Sequence, residues 1–140
     1  MDPTIARPLA TLLCAIALGG MVFFAAFFAP LIFRKLTPEV AGSFIREVFP
    51  VYYLSLIVLT IIATLLLWNQ PEAPVLGAIA LLFLFARFVL MPRINQARDA
   101  SAAGDHAEGE TFVRLHHLSA IINVAQMAAL VVVFVRLITY

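Results

Sequence analysis

Between Arg7 and Arg34 the chain runs for 26 residues without a charged side chain. A helix needs about 20 predominantly apolar residues to cross the roughly 30 Å hydrocarbon core of a bilayer. This run meets that requirement, and it far exceeds the apolar core of about 7–15 residues found in a cleavable signal. The bulky Leu13 before Cys14 also argues against a lipoprotein cleavage site. The first run is therefore read as a retained membrane helix. Three more follow: an uncharged stretch from Val48 to Pro71, a run from Val75 to Met91 interrupted only by Arg87, and a last one ending near Leu137.

Composition agrees with this. Of the 140 residues, 64% are hydrophobic, against roughly 45–50% in soluble domains, and the mean hydropathy is +1.04. Length alone makes it one domain. Twelve per cent of residues are charged and the formal net charge is +1, so nothing points to nucleic acid. The single cysteine, Cys14, excludes an internal disulfide and a thiolate zinc cluster. It sits in an apolar run as a small packing residue.

The spans are placed at about 8–33, 49–69, 74–91 and 115–137 within one domain, 1–140. Pro8 suits a helix start. In the first span Cys14, Ala15, Gly19, Gly20, Ala25, Ala26 and Ala29 recur at near-helical spacing, offering a surface a neighbour can approach closely. Pro30 withholds a donor from the Ala26 carbonyl, and a kink is expected there. Thr37, Pro38 and Glu39 spell a helix start. Val40, Phe44, Ile45 and Val48 give that segment an apolar face, so a short interfacial helix is expected between the first two spans. Pro50 then opens the second span, with Tyr52 and Tyr53 at one end and Trp68 at the other, as in aromatic belts. After Pro92 a polar helical extension leads into a flexible loop around 102–109, and Thr111 is placed as the cap of the last helix. Arg34, Lys35, Arg46, Arg93, Arg98 and Arg114 flank the first and third loops, against Arg7 and Arg136 on the other side. This asymmetry puts both termini outside and those loops in the cytoplasm; the expected location is a bacterial inner membrane.

The last helix carries the polar residues that a lipid-buried segment normally excludes. At about 100° per residue, His116, Ser119, Asn123 and Gln126 fall within an arc of about 80°, one narrow stripe. His117 is rotated out of it. The ordinary role of such residues is interhelical hydrogen bonding, which suits the deeper Gln126 best; a ligand, cofactor or proton role is the alternative for His116. Arg87 is the other signal, because an ionisable group in a span costs roughly 2.5–3.5 kcal/mol on insertion scales. It lies about 6 Å from the end of its run, so snorkelling competes with an anion-facing role. Glu47 is the nearest acid by expected depth. If the third and fourth helices pack as neighbours, Arg87 and His116 approach each other.

Metal chemistry finds little support. His106, His116 and His117 all come from one segment, so two histidines on different helices cannot clamp a haem within one chain. A single axial His116 remains open, and copper would want Met21, Met91 or Met127 to converge with a histidine. No acid in the spans orients a Ser–His pair for nucleophilic catalysis.

Four stretches taken together are more specific: 19–33 (GGMVFFAAFFAPLIF), 49–53 (FPVYY), 87–95 (RFVLMPRIN) and 112–123 (FVRLHHLSAIIN). In this order they resemble the transmembrane-protein-205-like family, also called domain of unknown function 4149. The resemblance implies a four-helix integral membrane domain of unestablished activity. It singles out Pro30, Pro50, Tyr53, Arg87, Pro92, His116, Ser119 and Asn123. A looser similarity links the architecture to copper-resistance membrane proteins and to the membrane protoporphyrinogen oxidase, implying copper or haem. The chain departs from a two-ligand haem site in having no histidine in its first three spans.

The expectation is thus an all-α, integral membrane four-helix bundle with both termini on the outer side and an interfacial helix after the first span. Its favoured function is non-enzymatic: a cytoplasmic-side pocket of Arg87, His116, Ser119, Asn123 and Tyr53 takes a polar or anionic ligand. A haem- or copper-associated oxidoreductase using His116 and a structural subunit of a membrane complex are the alternatives. Expected partners are the lipid bilayer and a second copy or another membrane protein.

Overall fold

The computed structural model describes residues 3–140. Those residues form four long helices: α1 (Thr4–Lys35), α2 (Pro38–Leu66), α3 (Ala73–Ala102) and α4 (His106–Thr139). Each is long and apolar enough to cross a membrane. At 29 to 34 residues they measure about 43–51 Å, longer than the hydrocarbon core. The protein is all-α, and its composition and helices make it a small membrane protein.

Each helix packs along its chain neighbour, and α4 closes the ring against α1. Short loops force antiparallel neighbours, so an even number of helices returns the C-terminus to the end where the chain began. Arg7 confirms the closure: its Nε donates to the Leu137 carbonyl at 3.2 Å and an Nη to the Arg136 carbonyl at 3.0 Å. A cation on the last carbonyls of a helix also answers its dipole.

The core is a column of side chains drawn from all four helices, including Met21, Tyr53, Leu76, Phe83 and Leu130. The outside is just as apolar, with Leu81 68% exposed and Ile121 66%, as expected of a surface solvated by lipid tails. On α1 the inward positions are Ala10, Cys14, Ala17 and Met21, spaced four, three and four apart as one helix face requires. The expected close-approach face therefore holds only in part. Cys14 faces inward, but Gly19 and Gly20 point outward, and a Cβ on either would meet nothing within 4 Å. Gln126 is buried, and its Nε2 donates to the Ile79 carbonyl of α3 at 3.3 Å, joining two helices as expected.

Several boundaries differ from expectation. Pro8 lies inside the first helix rather than at its start. The interfacial segment and the second span are one continuous helix that passes through Pro50. Proline in a helix interior costs about 3 kcal/mol, but neighbouring helices can re-satisfy the freed backbone groups. Thr37 precedes α2 as expected, without a side-chain capping bond. The polar loop shrinks to a turn around Gly104, whose φ of 104° favours glycine. Asp105, not Thr111, caps α4: its Oδ1 accepts from the Ala107 and Glu108 amides at 3.0 and 3.2 Å. Thr111 instead lies inside the helix, its hydroxyl donating to the Ala107 carbonyl.

Two helices share a device that the sequence did not announce. A π turn spans Phe24–Phe28 in α1 and another spans Ala86–Leu90 in α3. Each lies just ahead of a proline, Pro30 or Pro92. In each, the residue after the turn donates five residues back, Ala29 to Phe24 and Met91 to Ala86. The kink expected at Pro30 is thus preceded by a widened turn, an arrangement common near functional sites.

Candidate functional site

At the end opposite the termini two adjoining cavities lie between the helices. The inner one, the mouth, is about 190 Å³ and all four helices line it. Ala29 and Phe33 come from α1, and Ile45, Arg46 and Phe49 from α2. Met91, Ile94, Asn95 and Arg98 come from α3, and Phe112, His116 and Ser119 from α4. The outer one is a groove of about 220 Å³ between α2 and α3, lined by Arg46, Phe49, Pro50, Tyr53, Arg87, Phe88, Met91 and Asn95. Arg46, Phe49, Met91 and Asn95 border both.

This division separates residues that the sequence placed together. Arg87 lies in the groove, while His116 and Ser119 line the mouth. Arg87 turns toward α2, where an Nη donates to the Pro50 carbonyl. Its guanidinium carbon lies 5.2 Å from the centre of the Phe88 ring, within cation–π range. Its Nε is buried without a hydrogen-bond partner. Glu47, the expected acid, borders a separate surface depression with Glu39 and Phe44. Tyr53 is buried at the floor of the groove, its ring centre 5.7 Å from Phe49 and 6.2 Å from Phe83.

On α4 the stripe also divides. His116 is exposed and its ring lies 6.0 Å from Phe112. The Ser119 hydroxyl donates to the His116 carbonyl at 2.8 Å, within its own helix. Asn123 borders neither cavity and instead meets the Tyr52 hydroxyl of α2. The sequence reading missed Arg46, Asn95 and Arg98. Arg46 and Arg98 entered only as loop charges, because α2 and α3 run on past the spans assigned to them.

The charge around the mouth is held by side chains that leave its lining free of acids. Arg46 grips Asp99 in a two-pronged pair, with contacts of 2.6 and 3.2 Å. Arg98 reaches the Gly42 carbonyl at 3.4 Å and occupies the space that a Cβ on Gly42 would need. Arg93 and Glu108 pair at 2.8 and 2.9 Å, tying α3 to the first turn of α4. No Asp or Glu among the described residues lines either cavity. No group of three His, Cys, Asp or Glu among them is placed to hold a metal ion. A cationic rim over an apolar floor can accept an anion attached to an apolar body.

A second polar cluster sits at the other end and was also missed. Glu72, only 4% exposed, is bound through Oε1 to Arg136 Nε at 3.1 Å. Its position in a turn rich in Pro and Asn gave no sign of burial.

No curated protein and no solved structure matches the chain. A family model, domain of unknown function DUF4149, matches residues 12–103. That range takes in Pro30, Pro50, Tyr53, Arg87 and Pro92 and stops before His116, Ser119 and Asn123. The matched part thus carries the whole lining of the groove and the α1–α3 side of the mouth, and on this match the chain belongs to the DUF4149 family.

Proposed function

We propose that this protein is a non-enzymatic integral membrane protein that holds an anionic amphiphile in the mouth, on the cytoplasmic side of a bacterial inner membrane. The observation that carries this reading is the lining of the mouth: Arg46, Arg98 and His116 stand over Phe33, Ile45, Phe49 and Ile94, with no acid among them. Arg98, held by a carbonyl and not by an acid, supplies fixed positive charge; Arg46, already paired with Asp99, and Asn95 supply N–H donors, and the aromatic floor takes hydrocarbon. Lys and Arg favour the cytoplasmic side of short loops, which orients this end inward and both termini outward.

Thermal unfolding in a mild non-ionic detergent tests the reading. Decanoate should raise the midpoint and decanol, of the same chain length, should not. At about 100 times its dissociation constant a ligand adds about 2.7 kcal/mol. Arg98→Gln and His116→Ala should each reduce the response. Equal responses to acid and alcohol would show that the mouth selects hydrocarbon alone and would refute the proposal.

A further inference from the structure

We propose that the groove between α2 and α3 is a second site, beside the mouth and sharing part of its lining, for the phosphodiester headgroup of a net-negative membrane phospholipid. Arg87 is the anchoring residue. Arg46, Arg93, Arg114 and Arg136 each hold a carboxylate, whereas Arg87 holds only the Pro50 carbonyl through one Nη. Its Nε is buried without a partner. A guanidinium has five N–H donors, and Nε with the second Nη forms an edge that matches two phosphate oxygens. A buried donor left unmade is costly; Nε is closed to water as the side chain stands, and a turn of the guanidinium toward the groove brings that edge onto a phosphate and removes the cost.

The surroundings favour a lipid over a soluble anion. The groove opens on the outer surface of the bundle, where Phe88 is 63% exposed, so bilayer lipid reaches it without entering the ring of helices. Arg87 is four residues, about 6 Å of helix, from Met91, near enough for its side chain to meet the headgroup layer. Phe49, Phe88 and Met91 continue the groove as an apolar surface for the acyl chains. The headgroup class follows from charge. Among the described residues no acid lines the groove, and of its two cations Arg46 is paired with Asp99 whereas Arg87 is paired with no acid, so the groove keeps a positive charge that disfavours a choline or ethanolamine ammonium. A glycerol phosphodiester keeps its negative charge, and Asn95 is available to its hydroxyls. The π turn at Ala86–Leu90 contains Arg87, and the groove lies wholly within the residues matched to the family.

Native mass spectrometry of the delipidated protein provides the test. It is titrated with phosphatidylglycerol and with phosphatidylethanolamine of identical chains. The expected result is a preference for phosphatidylglycerol of about tenfold, because both lipids offer the phosphodiester and only phosphatidylethanolamine brings an ammonium up against the Arg87 guanidinium. Arg87→Gln should abolish the preference, and Arg87→Lys, which keeps the charge but not the fork, should retain part of it. Arg46→Gln should weaken it without touching the Pro50 contact, so the test stands even if Arg87→Gln fails to fold. Equal binding of the two lipids by the wild type would overturn the proposal, as would a preference that survives Arg87→Gln. Displacement of the lipid by millimolar inorganic phosphate would assign a free-phosphate site instead. Loss of the preference in saturating decanoate would place the lipid in the mouth, and either result overturns the assignment.

Discussion

Arg136 Nε lies 3.1 Å from Glu72 Oε1, joining the last turns of α4 to the start of α3. The partners are unequally placed: the Arg136 side chain is half exposed, while Glu72 is buried and its Oε2 has no partner. Removing the cation therefore strands a buried carboxylate, whereas removing the acid releases a side chain that water can reach. Arg136→Gln should destabilise the protein by about 1–3 kcal/mol and Glu72→Gln by less. The double variant should recover much of the loss. Unfolding curves of the three variants in detergent give the comparison, and equal losses for the two single variants would contradict the asymmetry.

Gln126 presents the opposite case, a buried polar group with one bond made and one missing. Its Nε2 reaches the Ile79 carbonyl, but Oε1 is buried and unpartnered. Interhelical hydrogen bonds of this kind average about 0.6 kcal/mol in membrane proteins. Gln126→Met, which keeps the volume, should change stability by less than about 1 kcal/mol. Gln126→Ala should cost more than Gln126→Met through the cavity it leaves.

The start of α4 separates two capping assignments. Asp105 binds two amides, while Thr111 lies a turn and a half further along. Asp105→Ala should cost about 0.5–2 kcal/mol and fray the first turn. Amide hydrogen exchange at Ala107 and Glu108 should accelerate. Thr111→Ala should leave those amides protected.

Gly42 controls the rim of the mouth. A Cβ there would run into the Arg98 guanidinium, the far end of a flexible side chain. Gly42→Ala should therefore swing Arg98 aside while changing stability by no more than about 1 kcal/mol. The decanoate response should fall together with that displacement. A variant with a full response would show that the Arg98 position is immaterial to the mouth.

The fold was legible because its cause is written residue by residue. Uncharged runs of span length, broken by Arg34, Lys35 and the turn at 69–74, are local facts, and lipid leaves an isolated chain segment little choice but a helix. The inward role of Gln126 could be read from its depth and phase. Helix ends were read less well. Pro50 looked like a start and proved internal, because packing on both sides outweighs a local propensity. Thr111 looked like a cap because Asp105 could not be told from a loop acid.

Of the candidate site the sequence named some of the lining residues and not their arrangement. The sequence by itself determined that the chain is a four-helix membrane protein with an uncompensated Arg87 in one span and a polar stripe in another. Only the tertiary structure decided that Arg87 turns to α2 while His116 turns to the mouth. It also drew in Arg46, Asn95 and Arg98, and sent Asn123 to Tyr52. The physical reason is that a helical period fixes which residues share a face, whereas the direction of that face depends on every turn before it. The π turn at Ala86–Leu90 alters that phase at Arg87 itself, and composition and spacing carry no signal of where such a turn will fall.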